Sequence, residues 1–502
     1  MSAIETWTAL ADAVERLPVD ELAARRWFGS AGRPTGRIAL AEGFDLGDGH
    51  ALAIVEVDLD AGRDTYLLAM TRDGTGYREA NEGDGAWRRL AVAIAEGRTV
   101  GALPHPPEAG SAAAARAPSA ALVCRPASAL RDLAPGGASS VAGLAEGPLG
   151  RDQSNTSIVI GEHLLLKAFR RLEPGLNPDL EMLAYLSEEA GFEAVPRLAG
   201  FVEMISRTGL TTVATLVEYL PDGEDAYEST AERLAGWLAA PGAVALEFAT
   251  EEPAQLGRLT AGLHATLAAA RVEGFEPRPA TRDELRAWRR VAGGQLARAI
   301  DAVDGPLRDE LREAAPRIVE RFTIYEALAA PPLLTRIHGD LHLGQLLRLP
   351  DAWVILDFEG EPTRPVEDRR QLGSPLRDVA SMLRSLDHVG RSAVRRAAGL
   401  RDADGGAGPG AGTHEPSGAA PHVGALDPDA WLRRARERFL GAYAAGLVEG
   451  GAPIELDEDL LLAFELEKEC YEFTYAAAYL PGWMWAPTEG MRGLLEALGA
   501  TP

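Results

Sequence analysis

The sequence predicts an α+β protein, with strands concentrated before about residue 221 and helices after it. Period-two alternation of apolar and polar residues marks Ala51 to Asp58 and Thr65 to Met70 as half-buried strands. Short apolar runs at 144–149, 157–160, 163–166 and 211–217, each bounded by small, polar or proline residues, read as further strands. Beyond Pro221 the pattern turns helical through Asp222 to Ala330 and resumes from Asp427. At 502 residues the chain exceeds one ordinary domain, so two or three are expected.

The elements follow in order. Trp7, Leu10, Ala11, Val14 and Leu17 recur at helical spacing, and the run Arg25-Arg26-Trp27-Phe28-Gly29 comes next. The two alternating strands and a helix from Ala86 to Glu96 complete a first segment, residues 1–100. Pro104 to Ala120, rich in Pro, Ala and Ser, is expected to be a linker over about 101–120. A second, strand-rich segment then runs over 121–221, and a helical one over 222–502. Asn177-Pro178-Asp179-Leu180-Glu181 opens a helix: Asn177 can cap, Pro178 suits the first turn, and the acids face the positive end of the dipole. Arg401 to Pro421 is glycine-rich and is expected to belong to a disordered loop over about 401–424. No internal repeat is evident.

Composition removes several classes of function. A net charge of −25 and a pI near 4.9 argue against nucleic acid or an anionic membrane as partner. No apolar run approaches the ~20 residues of a membrane span. The start, Met1-Ser2-Ala3-Ile4-Glu5, lacks a basic and apolar export signal. Cys124 and Cys470 are too few for a disulfide framework and fit a reducing compartment, so a cytoplasmic protein is expected. No Cys/His cluster has zinc spacing.

The chemistry concentrates in Ile337-His338-Gly339-Asp340-Leu341-His342-Leu343-Gly344-Gln345 and in Val354-Ile355-Leu356-Asp357-Phe358-Glu359. Two carboxylates and an amide lie beside apolar runs that read as short strands. Phosphoryl transfer needs that set: one carboxylate accepts the proton of the attacking hydroxyl, and a second carboxylate and an amide oxygen hold the magnesium between the phosphates. The competing reading is a hairpin with two surface aspartates. The lysines argue separately. Of 50 Lys plus Arg residues only Lys167 and Lys468 are lysine. Lys167 ends the apolar strand His163-Leu164-Leu165-Leu166, where a compact ammonium could reach the α/β-phosphates. A strand-end surface residue is the plain alternative. Gly150 to Thr156, a small and polar turn between strands, sits where a phosphate-covering loop would, though it lacks the GxGxxG pattern.

The Asp340 to Asp357 stretch resembles the motif of the aminoglycoside-phosphotransferase superfamily, a branch of the protein-kinase-like fold. That family usually has Asn where this chain has Gln345. The runs Arg26-Trp27-Phe28-Gly29, Gln153-Ser154-Asn155-Thr156-Ser157, Phe169-Arg170-Arg171, Asp357-Phe358-Glu359-Gly360-Glu361-Pro362 and Arg377-Asp378-Val379-Ala380-Ser381 resemble corresponding segments of maltokinases and related sugar kinases. The resemblance covers nearly the whole chain. It implies a bilobal protein-kinase-like fold with an N-terminal cap domain, a mostly β N-lobe and an α-helical C-lobe. It implies ATP as co-substrate and Mg²⁺ as cofactor, with Asp340 as catalytic base and Gln345 and Asp357 as metal ligands. Lys167, oriented by Glu181, and the loop residues Ser154 and Asn155 would hold the nucleotide phosphates. The hinge Glu218, Tyr219 and Leu220 would bind adenine.

Substrate choice is expected from Glu465-Leu466-Glu467-Lys468-Glu469-Cys470-Tyr471-Glu472-Phe473. Spacing puts Glu465, Glu469 and Glu472 on one helical face, where a bound cation would relieve their repulsion. The competing reading is a solvated acidic face with Lys468 offsetting part of it. Maltokinases have a lysine-alanine pair where this chain has Lys468-Glu469, and an Arg-Asn-Arg-Pro run where it has Ala478-Tyr479-Leu480-Pro481. The pattern is closer to actinobacterial glucosamine kinases. The expectation is therefore a monomeric, ATP-dependent kinase of glucosamine, with Asp340, His342, Glu465, Glu469, Tyr471 and Glu472 at the sugar. A maltokinase, an aminoglycoside kinase and a catalytically silent nucleotide-binding regulator are the alternatives.

Overall fold

The computed structural model describes residues 2–28, 34–60, 62–106, 120–150, 155–239, 246–361, 364–400 and 427–500. The α+β class holds. The chain divides into two compact units, Met1–Pro221 and Asp222–Pro502. Most of the expected linker, the phosphate-loop residues Gln153 and Ser154, and the expected disordered loop lie outside the described residues.

The first unit carries two antiparallel sheets. One is a meander of β1 (Pro34–Gly47), β2 (His50–Leu59), β3 (Gly62–Asp73) and β4 (Gly76–Glu79). The other contains β5 (Thr99–Gly101), β6 (Ala120–Pro126), β7 (Glu146–Pro148), β8 (Thr156–Ile160), β9 (Leu164–Ala168), β10 (Leu198–Ser206) and β11 (Gly209–Glu218), in the order β5-β6-β10-β11-β9-β8-β7. Helix α1 (Ala3–Glu15) starts with a capping box, Ser2 and Glu5 satisfying each other's backbone amides. It turns Trp7, Leu10 and Val14 onto the meander. Helix α2 (Ala86–Ala95) buries Trp87, Leu90 and Ile94 in a core that also contains Phe44 and Ile54 of the meander and Leu122, Leu166 and Val213 of the larger sheet. The segments expected as cap domain and N-lobe thus share one core, and β5 of the first joins the sheet of the second.

Lys167 lies in β9, flanked by β11 and β8. The short helix α3 (Pro178–Leu183) follows, and its start is set by Asn177, whose side chain accepts from the Asp179 amide at 2.8 Å.

The second unit is mostly helical. Its central elements are α4 (Glu251–Ala268), α5 (Leu376–Ala397), α6 (Pro428–Glu449) and α7 (Glu458–Tyr479). The strands Leu346–Arg348 and Trp353–Ile355 pair antiparallel, with Leu346 opposite Ile355. Their adjoining ends carry Gln345 and Asp357, and the Leu356 amide donates to the Gln345 carbonyl at 2.8 Å. Among the described residues no helix is long and apolar enough to cross a membrane.

Helices α4 and α6 approach backbone to backbone. A Cβ on Gly257 would lie 2.2 Å from the Phe439 carbonyl oxygen, and one on Gly446 would lie 2.7 Å from the Ala261 Cβ. Only the absence of a side chain permits this spacing. Gly257→Ala is therefore expected to destabilise the second unit by about 1–3 kcal/mol. Urea denaturation should show a lowered midpoint at unchanged slope, whereas an unchanged midpoint would contradict packing this close.

Candidate active site

The residue pattern from His338 to Asp357 forms one hydrogen-bonded loop in the second unit. Asp378, fully buried near the start of α5, accepts the His338 amide at 2.8 Å and the Gly339 amide at 2.9 Å. Two turns further along α5, the Ser385 hydroxyl accepts the Leu343 amide at 3.0 Å. The loop is thus pinned to one helix at both ends. Gly339 has φ +84°, a conformation that costs little only without a Cβ. The loop can therefore turn sharply just before Asp340.

His338 ties the two carboxylate positions together. Its Nε2 lies 2.9 Å from the Leu356 carbonyl, which can only accept, so Nε2 carries the proton. Nδ1 is then the acceptor for the Asp340 amide at 3.3 Å. One neutral imidazole therefore spans from the residue before Asp357 to the backbone of Asp340. Asp357 has φ +60°, which costs a non-glycine residue on the order of 1 kcal/mol and is tolerated best by Asp and Asn. Gln345 Nε2 lies 3.4 Å from Asp357 Oδ2, so the two expected metal ligands face each other.

Asp340 does not stand alone. Lys468 of α7 places its ammonium 3.0 Å from Asp340 Oδ1 and 3.2 Å from Glu472 Oε1. The same ammonium sits 4.6 Å from the centre of the Tyr471 ring. His342 accepts the Gly344 amide through Nδ1 at 3.1 Å and turns Nε2 toward Asp340 Oδ2 at 3.7 Å. Burial would raise the Asp340 carboxyl, but the Lys468 charge and His342 outweigh it and hold it well below the usual carboxylate range. For Lys468 burial is likewise overcome: Asp340 and Glu472 keep its ammonium charged well above the ordinary lysine range.

The expected acidic face divides. Glu472 belongs to the Asp340 cluster. Glu465 and Glu469 are completely buried elsewhere on α7, Glu465 against Arg384 (2.7 Å) and Arg436 (2.8 Å), Glu469 against His388 (3.0 Å). This corrects the expectation that all three hold one cation between them on a single helical face. Helical spacing put them on one face but did not reveal that half of it packs against α5.

In the first unit, Lys167 donates to Asp179 Oδ2 at 3.1 Å, and its ammonium lies 5.5 Å from the Phe169 ring centre. Asp179 is buried at the second position of α3, while the expected partner Glu181 is half-buried further along it. Asn155 immediately precedes β8. At the expected adenine hinge, the Glu218 amide donates to the Arg197 carbonyl at 2.9 Å and the Tyr219 amide to the His163 carbonyl at 2.8 Å. Those two amides are committed to the fold. Sequence reasoning missed Asp378, His338, Ser385, Lys468 and Asp179. The signal for Asp378 was an acid inside the apolar face of a helix, and for Lys468 it was rarity.

Against known proteins, residues 147–412 match the model of the phosphotransferase enzyme family. A glucosamine kinase of Streptacidiphilus jiangxiensis is 32% identical over 460 residues, 90% of each chain. One of Mycolicibacterium smegmatis is 30% identical over 359 residues, 70% of this chain and 80% of that one. Among solved structures, a glucosamine kinase (crystal form B) superposes with a TM-score of 0.72 at 28% identity, covering 97% of this chain and 99% of that one. A glucosamine kinase in complex with glucosamine, ADP and inorganic phosphate gives 0.67 at 27% identity, with the same coverage. The relatives are those the sequence resemblance pointed to, and the protein-kinase-like fold class holds with them.

The Asp340 environment gives a pH test. Its depressed carboxyl stays ionised across neutral and mildly acidic pH. The pairing with Lys468 therefore contributes stability above the unfolded carboxyl's titration at about 3.9, and this is lost as pH falls toward the folded value. Lys468→Met leaves burial less opposed and should move the acid limb of the pH–rate profile upward by about one pH unit or more. Lys468→Arg should restore the parental limb. An unmoved limb in Lys468→Met would mean that Lys468 does not set the charge of Asp340.

Proposed function

Because the chain belongs to the phosphotransferase enzyme family, we propose that it transfers the γ-phosphoryl group of ATP to the 6-hydroxyl of D-glucosamine. The observation that carries this reading is the convergence of Asp340 and Glu472 on one ammonium, that of Lys468, at 3.0 and 3.2 Å. The two carboxylates are spaced to share a cation, and one of them, Asp340, is the residue that would receive the hydroxyl proton. Two negative charges against one positive leave a net attraction for a cationic sugar, which neutral maltose could not use. The relatives' names and the glucosamine and ADP bound in a similar structure support the same substrate pair.

In this reading Asp340 orients the attacking hydroxyl. Its low basicity suits a loose transition state, in which the proton leaves late and orientation matters more than base strength. Lys167 meets the nucleotide phosphates as a point charge, and Asp179 holds it in place between turnovers. Gln345 and Asp357 fit Mg²⁺: a carboxylate and an amide are hard oxygen donors already side by side, and a half-turn of the amide presents its oxygen. The ion would neutralise charge between the phosphates. The acidic net charge and the two buried free cysteines support a cytoplasmic, monomeric enzyme.

The test is ATP consumption with glucosamine, N-acetylglucosamine, glucose, maltose and kanamycin. Glucosamine should lead, with N-acetylglucosamine poor because its nitrogen is neutral and bulkier. Preference for maltose or kanamycin would overturn the substrate. Glu472→Gln should cut the glucosamine-over-glucose ratio of kcat/KM by roughly one to two orders of magnitude, since a charge-assisted hydrogen bond is worth about 1.5–3 kcal/mol. Glu469→Ala should leave that ratio in place and lower stability. Asp340→Asn should lose roughly two to four orders of magnitude in kcat; a variant keeping a third of parental activity would remove Asp340 from its role.

A further inference from the structure

The strand that carries Lys167 changes partners just beyond the lysine. Up to Ala168, β9 pairs with β8 and β11, and the Phe169 amide still donates to the Val213 carbonyl at 3.0 Å. The chain then crosses to the other sheet. The Leu67 amide donates to the Arg170 carbonyl at 2.7 Å, the Leu172 amide donates to the Thr65 carbonyl at 2.9 Å, and Tyr66 bridges Arg171 antiparallel. Residues 170–172 thus lie along β3 of the N-terminal meander.

Arg170 locks this crossing. It is 6% exposed, and its guanidinium donates to the Leu67 carbonyl at 3.1 Å and to Glu79 Oε1 at 3.0 Å. Its planar group lies 4.5 Å from the Trp27 ring centre and 5.5 Å from that of Trp87. Phe28, next to Trp27, stacks on Tyr66 at 4.6 Å and accepts its hydroxyl through the backbone carbonyl at 2.8 Å. Arg25 shares Glu79 at 2.7 Å. Burying a charge only to fill space is unfavourable, since an apolar side chain of the same volume does as well or better. A planar fork that binds a carbonyl and a carboxylate while stacking on indoles instead fixes one backbone position in direction and distance. That position is three residues from Lys167, about 10 Å along an extended chain.

We propose that the N-terminal segment anchors the nucleotide lysine: Arg170, clamped by Trp27, Trp87 and Glu79, is a positioning residue that fixes the end of β9 and so the reach of Lys167 toward the nucleotide phosphates. This rests on the proposed role of Lys167 in holding the nucleotide. The two sequence runs around Trp27 and Arg170, which substrate and metal leave unexplained, then act as halves of one clamp.

The experiment uses the full-length enzyme and reads KM for ATP, KM for glucosamine, kcat, ADP affinity by calorimetry and Tm. Trp27→Leu removes one stacking face and should raise KM for ATP and weaken ADP binding roughly tenfold, because a misplacement near 1 Å is costly at a positioned group. KM for glucosamine should stay within twofold, and Trp27→Phe, which keeps an aromatic face, should recover most of the ADP affinity. ADP affinity within twofold of the parent in Trp27→Leu would overturn the proposal. So would a fall in kcat and Tm with both KM values unchanged, the mark of a merely structural role. Should Trp27→Leu fail to fold, Glu79→Gln supplies the same readouts, and the same tenfold loss or its absence decides. Lys167→Ala separates the premise: ADP binding as tight as the parent's would overturn the role of Lys167 itself, and the proposal with it.

Discussion

One buried carboxylate organises the second unit. Asp378 accepts two backbone amides from the loop that carries Asp340, and His264 of α4 lies 3.2 Å from its Oδ2. An ionised carboxylate can only accept, so His264 presents Nε2–H to it and receives the Tyr443 hydroxyl on Nδ1, at 2.9 Å. A chain of hydrogen bonds therefore runs from α6 through α4 to α5 and the loop. Leaving that carboxylate unpaired in the interior would cost several kcal/mol, so the groups around it must stay in register. The close approach of α4 and α6 at Gly257 and Gly446 keeps Tyr443 within reach of His264. Helix packing far from the chemistry thus fixes the height of the loop.

From that fixed loop the remaining geometry follows through side chains with defined donor and acceptor roles. His338 joins the Asp340 backbone to the Leu356 carbonyl, so Asp340 and the turn that leads into Asp357 cannot drift apart independently. Lys468, with His342, then holds the Asp340 carboxyl well below the usual carboxylate range against the effect of its burial. A chain that uses arginine for nearly every cation keeps lysine at two places, and each lysine meets a carboxylate within its own unit: Asp179 for Lys167, Asp340 for Lys468. A spherical ammonium can be shared by carboxylates from different directions, whereas a guanidinium fork prefers one planar partner.

Much of this was legible in the sequence because it is local. The loop motif, the two short strands after it, the helix cap at Asn177 and the strand ending in Lys167 all rest on neighbours within a few residues. The omissions are non-local. The longest strand, Pro34–Gly47, carries Gly36 and Gly43 and bulges against its partner, so its alternation is broken. Glu465 and Glu469 share a helical face with Glu472, and only the packing of α5 shows that they are filled by Arg384 and His388 while Glu472 faces the loop. Asp378 and Asp179 each lie in a first helical turn, where an acid ordinarily reads as a dipole partner in water. Both are buried, and the groups they bind come from outside their own helices: Lys167 on β9 for Asp179, the His338 loop and His264 for Asp378.

Asp378 holds the two residues that lead into Asp340, His338 and Gly339, through their backbone amides. Asp378→Asn keeps the volume but offers one acceptor where two amides and an imidazole N–H converge, and it turns an N–H₂ donor toward a donor. The direct measurement is kcat for ATP-dependent phosphorylation of glucosamine, paired with the urea unfolding curve of the same variant. The expected result is a cooperative unfolding transition and a kcat lowered by roughly a hundredfold or more, as when a loop no longer holds its reacting group in place. A folded variant whose kcat stays within about threefold of the parent would show that the loop keeps its geometry without that carboxylate, and would contradict the central role given to Asp378.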